Sequence, residues 1–134
     1  MTATTRSVPA INQNFAVFMD SLRDQELGAA ALSPRRFSEL LSMDLQTLAA
    51  QAHVHRNTIS RAPAAESVQR FLREAVRVIR AAVDLSGDVN RALFWYRNEP
   101  LQPFGYKTAE QLVSEGRADD LLRYIESLEA GAAG

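Results

Sequence analysis

The sequence predicts an all-α fold: a tight helix-turn-helix unit packed on one long helix, followed by a small helical domain. Three observations lead there. Apolar residues recur at three- and four-residue spacing in nearly every segment, the period of a helix with one buried face. No run of five or more residues alternates apolar with polar while being rich in β-branched side chains, so no strand is expected. Helix starts and stops punctuate the chain at short intervals, from Ser33-Pro34 and Asp44 to Gly87 and Gly116.

Residues 1–9 carry Thr, Ser and Pro and are expected to fray. Ile11, Phe15, Phe18 and Leu22 predict an amphipathic helix over about 11–27, with Gly28 past its end. Ser33 followed by Pro34 is a start signal, a hydroxyl cap and then the one helical position that needs no amide. Phe37, Leu40 and Leu41 form that helix's apolar face. Asp44 caps a second short helix on Leu45, Leu48, Ala49 and Ala52, and a third runs from about His55 to Arg61. The longest helix spans about 64–85, with Val68, Phe71, Leu72, Ala75, Val76, Ile79, Ala82 and Val83 on one side. A helix over 89–97 follows, then the turn-rich stretch 98–107 with two prolines and a glycine. Thr108 with Gln111 makes a capping box for a helix that stops at Gly116. The last helix runs over about 117–130 on Leu121, Leu122, Ile125 and Leu128, and the Gly-Ala-Ala-Gly tail is expected to be mobile. Natural divisions are 1–32 (arm and amphipathic helix), 33–62 (the helix-turn-helix) and 63–134 (long helix and C-terminal domain).

With 134 residues, 46% hydrophobic and 23% charged, the composition is that of an ordinary globular chain. There are no cysteines, which excludes disulfides, thiolate metal sites and cysteine nucleophiles. The longest apolar stretch is Leu27 to Leu32, far short of the roughly 20 residues of a membrane span. The opening MTATTRSVPA lacks a signal-peptide layout, so a cytoplasmic location with no membrane is expected. Charge is uneven: residues 33–83 hold eight arginines against four acids, while 84–134 hold five cations against nine acids. A basic middle and an acidic end suggest two surfaces with different partners.

The segment 41–61, LSMDLQTLAAQAHVHRNTISR, reads as helix, tight turn, helix. Leu48, Ala49 and Ala52 face inward, Val54 plugs the turn and Ile59 packs back, the pattern of a DNA-binding helix-turn-helix. Gln46 and Thr47 open the first helix. His55, Arg56, Asn57, Thr58, Ser60 and Arg61 supply the second with side chains that read base edges and grip phosphates. The turn position, where backbone with positive φ favours glycine, is His53; histidine tolerates that region better than most residues. Short helix–turn–helix corners are also common packing devices with no DNA role. The pair His53 and His55 has no nearby carboxylate or cysteine to complete a metal site, so no metal is expected. Arg70, Arg73, Arg77 and Arg80 form a stripe that either meets an acidic partner or is a solvated helix face.

Residues 92–131 carry Trp95, Asn98, Pro100, Leu101, Gly105, Lys107-Thr108, Leu112-Val113, Gly116, Leu121-Leu122, Ile125 and Gly131 in that order. This stretch resembles the toxin-binding domain of the Xre/MbcA/ParS-type antitoxins, and that family places an Xre-like helix-turn-helix upstream. The likeness covers about 33–131 and departs at Ala109, where the family usually has proline. It implies an antitoxin that is not an enzyme, binds no cofactor, occludes a RES-domain toxin using NAD⁺, and represses its own operon by binding operator double-stranded DNA. A homodimer is expected on separate grounds: one helix-turn-helix contacts too few base pairs to be selective, and the helix at 11–27 and the apolar side of 64–85 offer more nonpolar surface than one small bundle needs. The toxin-binding residues the likeness suggests are Tyr96, Phe104, Gly105, Tyr106, Lys107, Glu129, Gly131 and Gly134. The residues agree independently on the first point: the chain holds no Gly-rich phosphate loop, HExxH or Gly-x-Ser-x-Gly elbow. Alternatives are a free-standing helix-turn-helix regulator whose C-terminal domain only dimerises, and a toxin-binding or scaffold protein that no longer binds DNA.

Overall fold

A computed structural model describes residues 10–28 and 30–133. Within them are eight α-helices: α1 (Ala10–Leu22), α2 (Pro34–Leu40), α3 (Leu45–Ala52), α4 (Arg56–Arg61), α5 (Glu66–Ser86), α6 (Val89–Asn98), α7 (Ala109–Ser114) and α8 (Ala118–Ala133). Short 3₁₀ turns occupy Gln25–Leu27 and Gln102–Phe104. Among the described residues there is no strand, only the isolated bridges Arg23–Leu32 and Leu101–Lys107. No helix is long and apolar enough to cross a membrane.

The expected caps are in place. The side chains of Ser33 and Asp44 accept from the amides of Arg36 and Thr47. Thr108 and Gln111 close the reciprocal capping box. Gly87 ends α5 at φ 85°, the left-handed backbone a Cβ would disfavour.

α5 is the axis. It packs on α1, α2, α3, α6, α7 and α8. Its apolar stripe, with Val78 added, is buried, and Leu72 and Ile79 are fully so. Burial of such a side chain stabilises by about 1.5–3 kcal/mol. Phe18 and Leu22 of α1, Phe37 of α2, Leu48 of α3, Ile59 of α4, Tyr96 of α6, Leu112 of α7 and Leu121 and Ile125 of α8 join it in one connected core. Buried Gln69 of α5 stitches the connections: its Oε1 accepts from the Leu32 amide at 2.9 Å, and its Nε2 donates to the carbonyls of Leu32 at 2.8 Å and Pro63 at 2.9 Å.

Three expectations change. The first helix ends at Leu22, not near 27, because the Leu22 carbonyl accepts from the Ser33 amide at 2.7 Å and Asp24 caps a separate 3₁₀ turn. The side chain of Ile11 lies outside the described residues. At the other end the chain does not leave the last helix near 130: α8 continues to Ala133, since three alanines around one glycine still favour helix. Of the two helices expected to offer spare apolar surface for a dimer, α5 has its apolar side covered within the protein. The large apolar side chains left exposed include Val17, Phe94 and Tyr106, each more than 60% exposed.

Candidate functional site

α3 and α4 meet at a tight corner. His53 ends α3 with φ 58° and ψ 40°, left-handed backbone on a non-glycine residue. The His55 Nδ1 caps α4 by accepting from the Asn57 amide at 3.1 Å, so Nδ1 is the unprotonated nitrogen there. Leu48, Ala49 and Ile59 are buried between the helices, and Val54 packs against the core. That leaves Gln46, Thr47, His55, Arg56, Asn57, Ser60 and Arg61 exposed, with Thr58 half-buried. Asp44 stands before α3; the hydrogen bond from the Thr47 amide holds its carboxyl below the ordinary value, and the charge of Arg56 adds to that.

Two arginines outside the expected set join this surface. A groove of about 230 Å³ is lined by Arg35, Arg36, Ser60 and Pro63, among others. It sets the start of α2 beside α4. Arg36 is anchored, its Nη1 donating to the Arg23 carbonyl at 2.6 Å. Among the described residues Arg35, Arg36, Arg56 and Arg61 make no ion pair. The excess of arginine over acid in residues 33–83 was the signal that could have found Arg35 and Arg36. Only the packing of α2 against α3 brings them beside α4.

The arginine stripe on α5 differs. Arg73 reaches Glu66 at 2.7 Å and Arg70 approaches it at 3.8 Å. Arg77 pairs with Glu74 at 2.9 Å and Asp119 at 3.5 Å. The Arg80 guanidinium lies over the Phe15 ring, 5.4 Å from its centre. This face is solvated and largely neutralised, whereas the arginines of α4 and the start of α2 make no ion pair among the described residues.

The second candidate surface is the connection from α6 to α7. It is stiff: the Leu101 amide donates to the Lys107 carbonyl at 2.9 Å, and the Tyr106 amide donates to the Leu101 carbonyl at 2.9 Å. The Phe104 ring packs edge-on against Tyr124 at 5.6 Å, with the Arg117 guanidinium 5.2 Å from its centre. Lys107 is tied to Glu115 at 2.7 Å. Tyr106 is the side chain this turn presents, 66% exposed on backbone at φ 68°. Gly105 beside it is exposed as well.

Tyr96 was expected among the partner-facing residues and is not at the surface. It is fully buried on α6, among the largest enclosed side chains. Its position on the inner stripe, one turn after Ala92, carries it into the core, while Phe94, outside the expected set, points outward and is 68% exposed. Glu129 and Gly131 lie on exposed turns of α8, so they form part of a helix end. Gly134 lies outside the described residues. No cluster of three or more metal-ligating side chains occurs among the described residues.

Compared with family models, curated proteins and solved structures, the chain finds no match.

Proposed function

We propose that the chain binds double-stranded DNA through α4 and acts as the antitoxin of a toxin–antitoxin pair, repressing its own operon while sequestering a RES-domain toxin. One observation carries the DNA half: a short helix presents Arg56, Asn57, Ser60 and Arg61 outward together, near Arg35 and Arg36, and none of these arginines makes an ion pair among the described residues. Arginine and asparagine offer bidentate bonds to guanine and adenine edges, and the remaining cations meet phosphates.

The partner half rests on the likeness of residues 92–131 to the antitoxin family and on the stiff turn that displays Tyr106. A rigid exposed aromatic loses little conformational freedom on binding, which suits an interface anchor. The exposed end of α8, with Glu126 and Glu129, supplies negative charge toward a cationic nucleotide-binding cleft. A homodimer belongs to the same reading, because a single α4 spans too few base pairs to be selective.

Two experiments test it. Fluorescence anisotropy on the duplex upstream of the chain's own reading frame should show salt-sensitive binding that exceeds binding to a scrambled duplex. Co-expression with the toxin encoded beside it should rescue growth. Loss of the first result removes the DNA role; loss of the second with the first retained leaves a free-standing regulator.

A further inference from the structure

We propose that Arg97 and Ser114 are positioning residues for DNA reading: from α6 and α7 they clamp the two corners that flank α3 and so set the presentation of α4. The proposal rests on the DNA-binding reading above. The described residues with positive φ that are not glycine are Ser42, His53 and Tyr106. Two of the three bracket α3, and each meets a donor or acceptor from the C-terminal half.

At the first corner, Arg97 Nη1 donates to the Leu41 carbonyl at 2.6 Å and to the Ser42 carbonyl at 3.3 Å. These oxygens lie just past α2, where helix carbonyls have no partner within the helix. At the second corner, Ser114 Oγ donates to the Gln51 carbonyl at 2.8 Å, in the last turn of α3. His53 Nε2 sits 2.7 Å from the Ser114 carbonyl. A carbonyl can only accept, so Nε2 carries the hydrogen. Arg97 and Ser114 are themselves tied together, since Arg97 pairs at 2.8 Å with Glu110, one turn before Ser114 on α7.

Left-handed backbone on serine or histidine is sparsely populated and persists where its surroundings over-determine it. A stand-alone corner would use glycine at position 53. Histidine there keeps the backbone shape and adds a ring long enough to reach α7. Both ends of α3 are thus held by α6 and α7, which the 99–107 turn connects.

The test compares Ser114→Ala, Ser114→Thr and His53→Gly with the wild-type chain. Glycine suits positive φ, so His53→Gly is expected to keep the fold and its melting temperature while losing the bond to α7. Hydrogen–deuterium exchange without DNA should rise about five- to tenfold at amides 53–62 in Ser114→Ala and His53→Gly, the size expected for one lost hydrogen bond, with α5 and α8 unchanged. Ser114→Thr keeps the hydroxyl and should restore wild-type exchange. Affinity for the upstream duplex relative to a scrambled duplex of equal length should fall by a similar factor, while scrambled-duplex affinity holds, because phosphate contacts survive a small misplacement that base contacts do not. Wild-type exchange at 53–62 in both Ser114→Ala and His53→Gly overturns the clamp. Raised exchange with an unchanged affinity ratio overturns its role in reading. A wild-type chain that binds neither duplex overturns the DNA reading itself, and exchange still decides the clamp.

Discussion

Arg97 Nε lies 2.8 Å from Glu110 Oε2, the most enclosed ion pair among the described residues: the side chains keep 27% and 11% of their exposure. Burial raises the Glu110 carboxyl above its ordinary value of 4.5, against the pull of Arg97. Desolvation outweighs the attraction, as it can when an ion pair is removed from water.

A pH dependence follows. A carboxyl that holds its proton more tightly in the folded state contributes stability that is complete below 4.5 and is lost as pH rises through the folded value. The wild-type chain should therefore gain melting temperature over Glu110→Gln as the solution is acidified from neutrality toward 4.5. Comparing the two chains cancels the opposite trend from Asp44. A difference that stays flat with pH would show that Glu110 titrates as it does in the unfolded chain.

Tyr96 is buried completely, and its hydroxyl has no hydrogen-bond partner among the described residues. Burial, with the charge of Glu110 adding to it, holds the phenol above its ordinary value. Tyr96→Phe should therefore be neutral or stabilising by about 1 kcal/mol, the desolvation cost of an unpaired hydroxyl. Tyr96→Ala should cost about 3–5 kcal/mol as a core cavity. Urea denaturation of the two variants checks both, and a destabilised Phe variant would mean that the hydroxyl has a partner.

On α4, Arg56→Ala should lower affinity for the upstream duplex by about 1–3 kcal/mol if the guanidinium reads a guanine, with less effect on scrambled DNA. Arg61→Ala and Arg35→Ala should weaken both duplexes alike and reduce the slope of log affinity against log salt by about one each. Salt-titrated anisotropy distinguishes the two behaviours. Neutralisation of the toxin should survive all three substitutions.

Tyr106 stores backbone strain at an exposed site. Tyr106→Gly should raise stability or leave it unchanged, since strain of about 1 kcal/mol or more is relieved. The same variant should weaken toxin binding at least tenfold, because an exposed aromatic anchor carries a large share of an interface's energy. Calorimetric titration of the purified partner reads this directly. Tight binding by the glycine variant would move the contact elsewhere, and Phe94 is the next large exposed ring.

Local features were legible in the sequence alone. Caps at Ser33, Asp44 and Thr108, the stop at Gly87 and the stripe on α5 depend on neighbours one to four residues away, so spacing alone places them. The strained turn at His53 was legible for the same reason. Tertiary structure decided whatever depends on a distant chain segment. Ser33 competes for the Leu22 carbonyl and ends α1 early. α6 turns Tyr96 inward and Phe94 outward, because which side of a helix faces the core depends on what packs against it. Asp119 and Phe15 help to quiet the arginine stripe from other helices, while Arg35 and Arg36 are brought beside α4. Ser114 reaches a corner more than sixty positions earlier in the chain, a juxtaposition with no trace in any local pattern.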